Sequence, residues 1–189
     1  MVEDAIVPVD VIVVSNATAR ADTLAAAALY SDGVSRRIVL PWWRPEPLDL
    51  EVQALGVPWL PPTDLALAIL QKKGVPREAI EILRDPVDGL NTEIAAVARF
   101  AAAQRPRSLM FITARSHSRR ARCLLERTLP AATTIVVRSA AADDFDPRRW
   151  WHSRADAREV ASEYLRWLNT FVLRDPWSGG LPAVPEARR

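Results

Sequence analysis

Short apolar runs alternate with amphipathic stretches along most of the chain. The runs are rich in β-branched and aliphatic residues, which is typical of strands buried on both faces. They predict strands at Asp10–Val14, Ile38–Leu40, Ile80–Leu83, Leu109–Thr113 and Thr134–Val137. Between them, apolar residues recur every three to four positions, as in helices packed on one side. This order predicts a three-layer α/β/α sandwich around a mainly parallel, Rossmann-like sheet.

The predicted helices carry recognisable start and stop signals. One helix spans Ala21 to Leu29 before Gly33, and another spans Asp64 to Lys73 before Gly74. Asn91 or Thr92 is expected to cap the helix that contains Ile94. A further helix follows His117. The last helix is expected to bury an inner stripe made of Val160, Ala161, Tyr164, Leu165, Leu168 and Val172.

The segment 41–62 interrupts this pattern with six prolines and three tryptophans. We interpret it as an ordered loop or lid, since proline density opposes a long regular element. Within it, Leu50–Leu55 could form a short helix and Val57–Leu60 an edge strand. Trp42 and Trp43 would either fill a pocket below the loop or cover it, and the stiffness of the loop favours partial filling. We expect one domain over residues 1–174 and a flexible tail over residues 175–189.

Charge is distributed unevenly along the chain. The net charge is only +2, which gives no reason to expect nucleic acid as a partner. Residues 105–127, however, hold seven arginines against one acid, Glu126. Such a local patch attracts anionic ligands.

Several functional classes are disfavoured by composition. The single cysteine, Cys123, excludes an internal disulfide and is expected to be a buried small residue. With one cysteine and two well-separated histidines, no metal site is expected. The acidic start and the absence of a long apolar run predict no signal peptide and no membrane span, hence a cytoplasmic protein. Glycine motifs for dinucleotides and nucleotide phosphates are absent from the sequence, as is a serine-hydrolase elbow.

Polar residues follow the predicted strands, and in a parallel sheet they meet at one edge. Arg20, Arg119 and Arg120 should lie in first turns of helices, where a cation opposes the macrodipole. A bound anion would reverse that cost, although the arginines could instead be solvated. His117 is a candidate general acid or base, or only a hydrogen-bonding group at the helix terminus. The candidate ligand-binding residues are Ser15, Asn16, Arg20, Asn91, Thr92, Thr113, Arg115, Arg119 and Arg120.

An ordered set of motifs over residues 10–172 resembles the YdcF-like domain family, whose relatives include the SanA and ElyC envelope proteins. The motifs are the first strand with Arg20 and the helix ending at Gly33, then Gly74-Val75-Pro76, Asn91-Thr92, Ile112-Thr113-x-x-x-His117-x-x-Arg120-Ala121, and Trp150/Trp151 before Glu163-Tyr164-Leu165. The resemblance implies the Rossmann-like fold, a role in cell-envelope biogenesis in a bacterium, and binding of S-adenosylmethionine or a nucleotide.

The chain departs from that family at the expected glycines, which are replaced by Ser15-Asn16-Ala17-Thr18 and Leu40-Pro41-Trp42-Trp43. Two function classes therefore stay open. The first is an enzyme acting on a phosphorylated or nucleotide-like small molecule through His117, helped by Asp85 or Asp88. The second is a non-catalytic relative that binds a ligand, or a protein partner through the Trp42/Trp43 loop.

Overall fold

A computed structural model of the chain describes residues 2–15, 19–142 and 145–171. Its centre is a sheet of five strands, all parallel, in the order β3-β2-β1-β4-β5. The strands are β1 Val11–Val14, β2 Ile38–Trp43, β3 Ile80–Val87, β4 Ser108–Ile112 and β5 Thr134–Arg138. The predicted parallel α/β fold is confirmed.

Helices connect the strands. They are α1 Ala19–Ser31, α2 Pro47–Ala54, α3 Pro62–Lys72, α4 Leu90–Gln104, α5 Ser118–Thr128 and α6 Arg154–Phe171, with short 3₁₀ turns at Arg77–Ala79 and Trp150–His152. Gly33 and Gly74 follow α1 and α3 with positive φ of 74° and 87°, as a helix-terminating glycine does.

Each face of the sheet carries its own hydrophobic core, because successive strand residues point to opposite sides. On one face, Ile12 and Ile112 pack with residues of α1 and α3, including Ala26 and Leu70. On the other face, Val13 and Phe111 pack with α4 and α5. This arrangement gives the three layers that the alternation of strands and helices predicted.

The prediction of a loop over residues 41–62 is corrected in part. Strand β2 continues through Trp43, with a register shift between Leu40 and Trp42. Pro41 cannot donate to the ladder, and Thr63 at the start of α3 repairs the break. The Thr63 hydroxyl donates to the carbonyl of Pro41 at 3.0 Å and accepts the Trp43 N–H at 3.0 Å.

The rest of that segment also differs from expectation. The short helix does form, as α2, but it begins three residues earlier than predicted, at Pro47, since a proline suits the first helical turn. No strand forms at Val57–Leu60. Only residues 44–46 and 55–61 are irregular.

The helix α4 begins at Leu90, with Gly89 in the N-cap position, so the prediction of Asn91 or Thr92 as the cap residue is wrong. Thr92 nevertheless supports this end of the helix from its third position. Its hydroxyl accepts the N–H groups of Asp88 at 3.1 Å and of Gly89 at 3.2 Å, and donates to the Asp88 carboxylate.

Residues 1–147 form one compact unit and residues 148–189 form another. The expected single domain over 1–174 stays a prediction. The described part of the second unit consists of the turn at Trp150–His152 and the helix α6. The expected inner stripe of α6 is wrong for Ala161, Tyr164, Leu165 and Leu168, which are all exposed. Val172 and the predicted tail lie outside the described residues.

Candidate functional site

The strand order reverses between β1 and β4, whose carboxyl ends lie side by side. Val14 is paired with Ile112, and the N–H of Ser15 donates to the Ile112 carbonyl at 2.8 Å. The next residue after β4 is Thr113. In open parallel sheets, such a reversal point leaves a crevice where ligands bind.

Ser15 contacts a residue that the sequence analysis missed. Its hydroxyl donates to the Glu93 carboxylate at 2.9 Å, and both side chains are buried. Glu93 lies in the first turn of α4 and is only 1% exposed. The sequence does contain a sign that Glu93 is buried. It precedes Val97 by four residues and Phe100 by seven, which places all three on the same side of the helix. Asp22, in the first turn of α1, is a second buried acid that was missed.

The basic side of this edge comes from α5. Arg120 is buried, and its Nη1 donates to the Asn91 side-chain oxygen at 3.3 Å, which joins the first turns of α5 and α4. Of the six described helices, α5 alone has no acid in its first turn. Its positive end is therefore not neutralised by an acid of its own first turn, unlike those of α1 and α4.

Thr113 has an unusual environment at the end of β4. Its N–H donates to the Arg138 carbonyl at 2.9 Å, but its hydroxyl, in a residue that is 0% exposed, has no hydrogen-bond partner among the described residues. Leaving a buried polar group unpaired costs ~1–3 kcal/mol. Such an atom is a place where a ligand or an ordered water is expected.

The structure therefore places Ser15 and Thr113 at the neighbouring ends of β1 and β4, and it joins Asn91 and Arg120 in the first turns of α4 and α5. Arg20 and Arg119 are in first turns as predicted, but both are exposed, whereas Arg120 is buried. The single pocket expected for the three guanidinium groups stays a prediction.

Of the remaining candidates, Arg115 and Thr92 bind backbone groups. Arg115 donates to the Phe145 carbonyl at 2.9 Å, and Thr92 supports the start of α4. His117 occupies the N-cap position of α5 and is half-buried. Asn16 lies outside the described residues.

The carboxylates expected to assist His117 have other partners. Asp85 pairs with Arg99 at 2.9 Å, and Asp88 accepts the Thr92 hydroxyl at 2.9 Å. Neither contact orients the imidazole, so the specific support expected for an enzyme is missing at these two positions.

The two tryptophans after Leu40 differ in environment. Trp42 is 40% exposed, whereas Trp43 packs against the core and lines a pocket between β1, β2, α1 and α3. The space that this pocket encloses is only about 10 Å³. Ligand pockets usually begin at ~300 Å³. Trp43 therefore leaves little space at this end of β2, and the choice between filling and covering a pocket stays a prediction.

Comparisons of the chain with protein-family models, with curated proteins and with solved structures find no match. In the part of the chain that the structure describes, no helix combines the length and the apolar character needed to cross a membrane.

Proposed function

We propose that the unit formed by residues 1–147 binds a small molecule through an anionic group, at the carboxyl edge of the sheet between α4 and α5. The observation that carries the proposal is the buried, unpartnered hydroxyl of Thr113, which lies where the strand order reverses. Ser15, at the end of the neighbouring strand β1, donates its N–H to the carbonyl of the residue before Thr113.

Electrostatics favours α5 over the other helix starts at this edge. The first turns of α1 and α4 already contain the buried acids Asp22 and Glu93, which would repel an anion. The first turn of α5 instead contains Arg119 and Arg120. Helix N–H groups and guanidinium groups together form an effective anion site.

The buried acids would serve a different part of the same ligand. A carboxylate accepts hydrogen bonds, so Glu93 and Asp22 suit hydroxyl or amino groups. A ligand with an anionic end and a hydroxyl-bearing end, such as a phosphorylated sugar or a nucleotide, satisfies both sides. This chemistry agrees with the proposed relation to YdcF-like proteins and with an envelope precursor as ligand.

The test is a thermal titration with inorganic phosphate. An anion that binds only the native state at ~100 times its Kd stabilises it by ~2.7 kcal/mol. Arg119→Ala should reduce the phosphate-dependent rise in Tm, and Arg127→Ala, in the last turn of the same helix, should not. Equal effects of the two variants would reduce the proposal to a general charge effect.

Thr113→Val gives a second, independent test. Valine replaces threonine at nearly the same volume and removes the unpaired hydroxyl. Without phosphate, the variant should be at least as stable as the wild type, because no hydrogen bond between described residues is lost. With phosphate, its rise in Tm should be smaller. If phosphate raised the Tm of Thr113→Val as much as that of the wild type, the Thr113 hydroxyl would not be part of the anion site.

A protein-interaction role is the second candidate, and the exposed surface of α2 favours it. This helix has no buried residue, and Leu48, Leu50 and Leu55 are exposed together with Trp42. If these side chains form one contiguous apolar patch, they would mark a docking surface. Sedimentation of the wild type and of Leu48→Ser/Leu50→Ser over a range of concentrations tests whether this surface binds a second copy. Identical monomeric behaviour would argue against that partner.

A further inference from the structure

The residues that precede β1 make specific contacts with β5. The N–H of Asp4 donates to the Val137 carbonyl at 3.1 Å, and the Asp4 carboxylate accepts the Val137 N–H at 2.7 Å and pairs with Arg122. Glu3 contacts Ser139, the residue that follows β5. Residues 2–4, which we call the acidic strap, thus run antiparallel along the free edge of β5.

The Glu3 carboxylate occupies a built site at the carboxyl end of β5. It accepts the Ser139 hydroxyl at 2.5 Å and the Ser139 N–H at 3.3 Å, and it pairs with Arg138 at 3.0 Å. Ser139 is nine-tenths buried, whereas the Glu3 side chain is 40% exposed. The Ser139 donors are buried, and the carboxylate that they bind is the more exposed partner.

The site that binds the Glu3 carboxylate is connected to the start of α5. Arg115 Nε lies 3.5 Å from the same Ser139 hydroxyl. The N–H of Val2 donates to the Ser118 hydroxyl at 3.0 Å, and that hydroxyl donates to the Arg115 carbonyl at 2.9 Å. The strap therefore joins the end of β5 to the first residue of α5, beside the region proposed above for the anion.

We infer that the corner formed by Ser139, Arg138 and Arg115 is an oxyanion subsite, which Glu3 occupies in the absence of ligand. A carboxylate or phosphate oxygen of the ligand would take the same hydroxyl, N–H and guanidinium donors, and the strap would leave. The acidic strap then competes with the ligand and sets its apparent affinity. This inference rests on the proposed function, because it assigns the regulation of that anion site.

Competition predicts a specific effect of Glu3→Gln on phosphate binding. The amide keeps the size of the side chain but removes the charge that imitates the ligand. If the carboxylate fills the corner about nine-tenths of the time, removing it should lower the apparent Kd for inorganic phosphate by about tenfold. Glu126→Gln is the matched control, since Glu126 is also exposed and near the arginines, with 3.8 Å to Arg122 Nε.

The measurement is a phosphate titration followed at individual backbone amides by NMR, in wild type, Glu3→Gln and Glu126→Gln. We expect the Ser139 amide to shift with phosphate, at lower concentration in Glu3→Gln than in either other protein. Equal affinities in Glu3→Gln and Glu126→Gln, or a Ser139 amide that does not respond, would overturn the inference.

The same titration separates this inference from the function on which it rests. If the amides of Thr113 and Arg120 respond equally in all three proteins, the proposed function stands and the acidic strap does not regulate it. A response at Ser139 alone would keep the oxyanion subsite and overturn the site between α4 and α5. Phosphate that shifts neither set, even in Glu3→Gln, overturns both.

Discussion

The helices α4 and α6 have similar apolar patterns in the sequence but opposite environments in the structure. Ile94 and Val97 on the apolar side of α4 are almost completely buried. Tyr164 and Leu165 on the corresponding side of α6 are 69% and 67% exposed. Periodicity identifies which side of a helix is apolar, but it carries no information about what covers that side.

The cause of the difference lies in chain connectivity. Helix α4 joins β3 at one edge of the sheet to β4 beyond β1, so it must cross the sheet face and its apolar side meets the core. Helix α6 follows the last described strand and belongs to the compact unit 148–189. No later strand among the described residues returns the chain to the sheet.

The largest expected effect tests this contrast directly. Phe100→Ala in α4 removes a buried ring that also lies beneath the Arg37 guanidinium, 5.3 Å from its centroid. It should lower the free energy of unfolding by ~3–5 kcal/mol, measured by urea denaturation. Leu165→Ala in α6 should change it by less than ~0.5 kcal/mol. A loss of several kcal/mol for Leu165→Ala would mean that the α6 stripe is covered in solution.

The fold was largely predictable because the strands are continuous β-branched runs and their connections are helical. Val11–Val14 and Met110–Ile112 cannot sit on a half-exposed sheet, so two covered faces were the only consistent arrangement. The continuation of β2 through Pro41 was not predictable from local pattern. It depends on Thr63, a residue distant in sequence, to satisfy the backbone that the proline disrupts.

A second prediction compares polar contacts of the two helices. Ser15→Ala removes the buried donor to Glu93 of α4 and should cost ~1–3 kcal/mol of unfolding free energy. Arg166→Ala in α6 removes ion pairs to Glu163 and Glu159. Because the arginine is 51% exposed, the change should cost at most ~1 kcal/mol. Equal losses would show that the environment of the α6 pair is as desolvated as that of Ser15.

The site was predictable only in outline. Placing polar residues after strands located Ser15 and Thr113 at the carboxyl edge of the sheet, and Arg120 at the start of the helix that follows β4, because parallel strands end together. Position after a strand does not distinguish a side chain that faces a ligand from one that forms hydrogen bonds to the backbone. Thr92 holds the start of α4, and Arg115 holds the carbonyl of Phe145 in addition to lying 3.5 Å from the Ser139 hydroxyl. Glu93 was not predicted as a site residue, because an acid in the first turn of a helix is ordinarily solvated and interacts with the helix dipole.

The starts of the two helices give a third, smaller effect. Thr92→Ala removes the acceptor for the Gly89 N–H and should cost ~1 kcal/mol of global stability. The Ser153 hydroxyl accepts the Asp156 N–H at 3.3 Å before α6. Because α6 buries little apolar surface, Ser153→Ala should reduce hydrogen-exchange protection within α6 and leave the sheet unchanged. Loss of hydrogen-exchange protection throughout the sheet in Ser153→Ala would contradict the expectation that α6 opens without the sheet.

The smallest expected effect lies at the end of α4, where Arg105 adopts left-handed backbone angles, φ 49° and ψ 51°. A residue with a Cβ pays ~1–2 kcal/mol in this conformation, and glycine does not. Part of that gain is offset by the greater freedom of glycine in the unfolded chain. Arg105→Gly should therefore raise the free energy of unfolding by less than ~1 kcal/mol.

Arg105→Ala is the matched control, because it removes the guanidinium but keeps the Cβ, and it should give no increase. Equal stabilisation by both variants would assign the effect to charge in the arginine-rich segment, and a loss in Arg105→Gly would mean that the arginine stem supports the end of α4 by packing.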